Sequence, residues 1–133
     1  MRYFLIVPVL MSCASFPKIP DEAIHYQRKC MDSKDTEACR VCTEFTSELP
    51  ECWNGLGLYE MRDGHDDYQA AACYFQLAIE ADRNYVQGYN NLAIAHFRMG
   101  NTKLAINLLN EVLTIDPGFK EARENLMFIQ INE

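Results

Sequence analysis

Basic side chains are in short supply: the 133 residues include 12 Lys and Arg against 19 Asp and Glu, a formal net charge of −7. A protein that grips nucleic acid needs a stripe of cations to neutralise phosphates, and the sequence has none. The acidity instead keeps the domain soluble and repels anionic lipid head groups. Long apolar runs are missing as well. The N-terminal stretch from Tyr3 to Met11 is nine residues, well short of the roughly 20 that a helix needs to cross a bilayer. A catalytic constellation is also absent, because His25, His65 and His96 stand far apart in the chain without a positioned partner. Gly55-Leu56-Gly57 falls inside a helical pattern, not in a loop that cradles phosphate. His65 shares an acidic turn with Asp63, Asp66 and Asp67, which reads as solvated turn chemistry and not as a metal site. The sequence therefore predicts no enzyme, no cofactor and no metal.

What the chain does contain is one helical hairpin written twice. Tyr89, Leu92, Ala93 and His96 lie at helical spacing, Gly100 breaks the helix, and Ala105, Leu109 and Val112 form a return stripe that Pro117 ends. Upstream, Trp53, Leu56 and Gly57 open a similar unit, Gly64 sits in its turn, and Ala71, Phe75 and Ala78 return. Trp53 and Tyr89 are 36 residues apart, whereas Ala71 to Ala105, Phe75 to Leu109 and Ala78 to Val112 are each 34. The extra two residues fall in the first turn, around Gly64, His65 and Asp66. Small residues recur where two helices must touch, with large ones beside them.

This pattern of Trp, Leu-Gly, Ala, aromatic, Ala and Pro resembles the tetratricopeptide repeat (TPR). The resemblance covers about half the chain in two full copies and, more weakly, most of the rest. It implies an all-α fold, a short TPR-type solenoid of antiparallel helix pairs closed by a C-terminal capping helix. Four segments are expected: a degenerate repeat over 21–49, repeats over 50–85 and 86–119, and the cap over 120–133. Within them, helices are expected from Pro50 to about Arg62, about Asp67 to Ala81, Val86 to Met99, Thr102 to Ile115 and Lys120 to about Gln130. The cap is less polar than such a helix usually is, since Phe128, Ile129 and Ile131 remain, and this raises the expectation of a partner or a homo-oligomer contact there.

Residues 1–12 read as a signal peptide, with Arg2 ahead of the apolar run. Leu10-Met11-Ser12-Cys13 resembles the bacterial lipobox, although Met11 is bulkier than usual there. In that family the Cys becomes a lipidated N-terminus, which implies membrane anchoring at Cys13 and a tether over 13–20. Ala14 follows Cys13, which by analogy with enterobacterial sorting favours the outer membrane over the inner, on the periplasmic side. Export places the remaining cysteines in an oxidising space. Cys30 and Cys39 flank one interhelical turn and Cys42 and Cys52 the next, so two short staples are expected there, with Cys73 left over. Sequence alone does not fix the connectivity. Cys39-Arg40-Val41-Cys42 lacks the strand context of a redox site, and the four-thiol spacing matches no common zinc finger.

In the repeat family the leading helix of each pair lines a concave face. Carried over residue by residue, this gives Asn54, Leu58, Met61 and Arg62, then Asn90, Asn91, Ile94, Phe97 and Arg98, and finally Glu124, Asn125 and Phe128. The amides suit a peptide backbone, the apolar side chains suit its residues, and the arginines suit a carboxylate. The lysine-rich clamp of chaperone-binding members is missing. The resemblance implies a protein or peptide partner for an adaptor in envelope complex assembly, similar to small TPR lipoproteins including pilotins. The competing reading is a structural subunit that associates through its apolar C-terminal helix with the groove unused.

Overall fold

The structure, a computed structural model, describes residues 49–133. The expected signal peptide, Cys13, the tether, nearly all of the degenerate repeat, and Cys30, Cys39 and Cys42 lie outside the described residues. Among the described residues there are five helices and no strand: α1 (Pro50–Glu60), α2 (Tyr68–Ala81), α3 (Val86–Arg98), α4 (Thr102–Ile115) and α5 (Lys120–Ile131). None is long and apolar enough to cross a membrane.

Local chemistry sets each boundary. Pro50 occupies the first turn of α1, where its missing N–H costs nothing. The helix stops at Glu60, short of Arg62, and the chain turns through Gly64 at φ +88° and Asp66 at φ +49°. Asp67 then caps α2, its Oδ1 accepting the Ala70 N–H at 2.9 Å. At the far end of α3, Gly100 takes φ +85°, the Asn101 N–H reaches the His96 carbonyl at 2.8 Å, and the Gly100 N–H reaches that of Phe97 at 3.0 Å. This pair of bonds is the glycine-dependent C-terminal cap that reverses the chain into α4. Asp116 accepts the Gly118 N–H at 2.9 Å and carries the chain past Pro117 into α5.

Consecutive helices pack as antiparallel neighbours, while α1 also touches α3 and α3 touches α5. The main core runs through Phe75, Ile79, Leu92, Leu109, Val112, Ala122 and Ile129. Trp53, Leu56 and Ala78 form a second cluster, with Trp53 stacked on Tyr74 at 6.3 Å. Trp53 and Tyr89 are both buried, as equivalent positions should be. The small-residue rule has a direct cause at Gly57: a Cβ there would lie 2.4 Å from the Phe75 ring. The pair of α3 and α4 has Ala93 and the smaller Leu109 at the equivalent positions, both fully buried in the main core.

Cys52 and Cys73 are both disulfide-bonded, and no described cysteine is a free thiol. This corrects the expectation that Cys73 is the unpaired one. Turn-flanking spacing pairs neighbours along the chain, whereas a bridge forms between cysteines that the fold brings close.

Candidate functional site

The leading helices α1, α3 and α5 share one wall, and a repeated side-chain bond holds them in register. Asn91 Nδ2 donates to Asn54 Oδ1 at 2.8 Å, and Asn125 Nδ2 donates to Asn90 Oδ1 at 3.0 Å. Both bonds run from the sixth position of one leading helix to the fifth of the helix before it. Register taken from these bonds aligns Asn54 with Asn90 and Glu124, Leu58 with Ile94 and Phe128, and Met61 with Phe97 and Ile131. The helix α5 is thus a leading helix without a return partner among the described residues. Each bond contributes about 0.5–1.5 kcal/mol, and losing one partner would leave a buried amide unmet.

All twelve expected peptide-binding residues fall on this wall or at its edge. Asn54 and Leu58 lie in α1 and Met61 and Arg62 just after it; Asn90, Asn91, Ile94, Phe97 and Arg98 lie in α3; Glu124, Asn125 and Phe128 lie in α5. They are not equally available. Asn54, Asn90 and Asn91 are buried and engaged in tying the helices together. Leu58 is 39% exposed and Phe128 57%, and Phe128 meets the half-buried Phe97 edge-on at 6.0 Å. Ile131, expected from sequence as a partner or oligomer contact but not among the peptide-binding residues, completes the Met61 and Phe97 row and is 77% exposed. Extending the 34-residue spacing one step past Phe97 would have found it.

The charged edge is uneven. Arg62 lies 3.8 Å over the Tyr59 ring, with Nη2 3.1 Å from His65 Nε2, while His65 Nδ1 is 3.5 Å from Glu60. Arg98 is exposed and makes no ion pair among the described residues. Glu124 is held at 3.2 Å by Lys120. In the acidic turn, Asp66 accepts the Tyr68 hydroxyl and Asp67 caps α2. That hydrogen bond raises the Tyr68 phenol above its ordinary value, with Arg98 opposing, which sets Arg98 beside the turn.

His96 packs inside, 6% exposed, in the last turn of α3. Its Nδ1 lies 3.3 Å from Asn101 Nδ2, and its Nε2 is buried without a partner among the described residues. Burial pushes the imidazole below its ordinary value, outweighing the cation preference of a helix C-terminus. As pH falls through about 6.5, the unfolded chain takes up this proton before the folded one does. Stability is therefore present above that pH and declines toward the lower folded value. Urea midpoints measured between pH 8 and pH 5 are expected to fall for the wild type, and the decline is expected to be shallower in His96→Tyr. Equal slopes would refute the assignment.

Comparison with known proteins agrees with this geometry. A tetratricopeptide repeat family model matches residues 86–119, the span of α3, α4 and the turn after them. The Arabidopsis thaliana protein PYG7, described as tetratricopeptide repeat domain-containing and chloroplastic, is 33% identical over 76 residues. The match takes in 57% of this chain and 25% of that protein, so the chain spans about a quarter of its relative's length. The first TPR of Spaghetti (RPAP3), solved bound to the HSP90 peptide SRMEEVD, superposes with a TM-score of 0.73 at 17% identity, over 88% of this chain and 98% of that one. MamA superposes with a TM-score of 0.69 at 21% identity, over 96% of this chain and 75% of that one. At such identities the structural likeness is one of fold. Family model, homologous repeat domain and helical architecture converge on one tetratricopeptide repeat at residues 86–119 within an all-α fold of the tetratricopeptide repeat type.

Proposed function

We propose that the chain is an adaptor that holds a peptide or a partner protein against the wall of α1, α3 and α5, working from a lipid anchor at Cys13 on the periplasmic side of the outer membrane. The observation that carries the binding half is the register of apolar side chains on that wall, with Leu58, Phe128 and Ile131 exposed, beside Arg98, which makes no ion pair among the described residues. Support comes from the RPAP3 domain, which has the same fold and binds a peptide. The wall residues here are apolar and amide in place of a lysine clamp, so the ligand differs in chemistry from an acidic chaperone tail. The disulfide bonds of Cys52 and Cys73 suit an oxidising compartment, which supports the export half.

The test uses the full chain with an affinity tag, recovered from membranes. A partner retained by the wild type is expected to be lost from Arg98→Glu combined with Phe128→Ser, with helical content and melting unchanged because both side chains are exposed. Cys13→Ser is expected to move the protein from the membrane fraction to the soluble one. Retention of the partner by the double variant would refute the wall as the binding surface.

A structural-subunit reading is favoured by one further feature, the exposure of Met127 at 58% on α5. It stands where Gly57 and Ala93 stand in the earlier leading helices, so a return helix cannot approach α5 as closely there. If this end mediates self-association, Met127→Ser shifts the sedimentation coefficient while partner retention is unchanged.

A further inference from the structure

Resting on the groove reading above, we infer that the occupant of the wall is an extended segment in polyproline II conformation, with an apolar side chain at every third residue and a carboxylate near its middle. The wall's apolar side chains form two rows, each with one member per leading helix: Leu58, Ile94 and Phe128 in one, Met61, Phe97 and Ile131 in the other, with Leu58, Phe128 and Ile131 exposed and Met61, Ile94 and Phe97 half-buried at its floor. The rows run across the helices, so their repeat distance is the spacing between neighbouring packed helices, about 8–10 Å. Direct asparagine bonds at 2.8 and 3.0 Å hold these helices side by side.

A ligand that meets every helix equivalently must repeat at that distance. Polyproline II has three residues per turn and rises 3.1 Å per residue, so its side chains recur on one face about every 9.3 Å. A β-strand presents the same face about every 6.6–6.8 Å and drifts out of step by the third helix. A ligand α-helix is too broad. Paired row members such as Ile94 and Phe97 are three residues apart, about 4.5 Å along the axis, against a helix diameter of about 10–12 Å. One extended chain fits such a strip, bordered by the asparagines on one side and by Arg62 and Arg98 on the other.

Two observations give the ligand its chemistry. Phe97 and Phe128 meet edge-on at 6.0 Å, the aromatic lining on which polyproline II segments dock. Arg98 on the middle helix is exposed and makes no ion pair among the described residues, whereas Arg62 is already engaged with Tyr59 and His65. A carboxylate is therefore matched at α3, near the centre of the bound segment, and not at its end.

Fluorescence anisotropy with three labelled synthetic peptides tests this against the full chain with its disulfides intact. One peptide carries leucine at every third position with proline and a central aspartate between; the second has the same composition with leucines alternating; the third is a helical peptide with leucines seven apart. The first is expected to bind at least about tenfold tighter than either other, since each mis-registered leucine forfeits its burial. Phe128→Ser and Arg98→Glu are each expected to weaken it by about tenfold. If the alternating or helical peptide binds as tightly, the polyproline register is wrong while the groove stands. If no peptide binds but the captured partner is still lost from the double variant, a linear segment of this chemistry is refuted. If the first peptide binds equally to both variants, the inference and the groove fail together.

Discussion

Gly57→Ala is expected to destabilise the protein, and Phe75→Leu is expected to rescue it. An added methyl in the middle of α1 brings about 1 kcal/mol of helix propensity. Opposing this, its Cβ would lie 2.4, 2.6 and 2.8 Å from three atoms of the Phe75 ring. That ring is fully buried, in an interior of the kind that packs closely. Overpacking of this kind costs about 1–3 kcal/mol, and with three ring atoms in the way the steric cost outweighs the propensity gain. Phe75→Leu alone trims a packed ring and costs about 1–1.5 kcal/mol. Together the substitutions recreate the residue pair, Ala93 and Leu109, that stands at the equivalent buried positions one repeat later, so the double variant should be more stable than the sum of the singles predicts. A coupling of about 0.5–3 kcal/mol is the range for residues in direct contact. Urea denaturation of the four proteins closes the cycle, and strict additivity would show that the ring and the helix backbone do not oppose each other as described.

The same contact explains why the fold was legible. Gly57, Ala71, Ala78, Ala93 and Ala105 announce where backbones must approach, and Gly64, Gly100 and Pro117 announce where helices cannot continue. These are one-residue constraints, so a single sequence displays them. The helix limits followed to within two residues, and the error at α1 arose because Met61 and Arg62 continue the apolar and basic pattern while the backbone has already begun to turn. Relations between helices were harder to read. Asn54, Asn90, Asn91 and Asn125 were visible as a recurring amide row, but periodicity gives a side chain's face and not its reach. That Asn91 finds Asn54, and Asn125 finds Asn90, depends on how one leading helix is set against the next. The same gap applies to Cys73, whose disulfide bond depends on which thiol the fold brings close and not on spacing along the chain. It also hid Gln76, which no stripe claimed and which the fold buries completely.

Gln76→Leu is expected to raise stability by about 1–3 kcal/mol. The side chain is 0% exposed, and neither its Nε2 nor its Oε1 has a hydrogen-bond partner among the described residues. A primary amide taken from water into an apolar interior without compensation carries a desolvation penalty of that order. Leucine removes the penalty at nearly the same volume and has the slightly better helix propensity, so packing around α2 changes little. For a domain of this size the melting temperature should rise by roughly 4–8 °C per kcal/mol. Gln69→Leu is the matching control, because Gln69 is exposed on the same helix and its replacement should stay within about 0.5 kcal/mol of neutral. Gln76→Glu should act in the opposite sense, since an unpaired carboxylate is costlier to bury than an amide. Loss of stability in Gln76→Leu would mean that the amide is hydrogen-bonded in solution. Because α2 is a return helix and contributes nothing to the wall of α1, α3 and α5, the stabilised variant should bind ligand as the wild type does. A gain in stability accompanied by a loss of binding would instead place the ligand against α2, and the assignment of the wall would have to be abandoned.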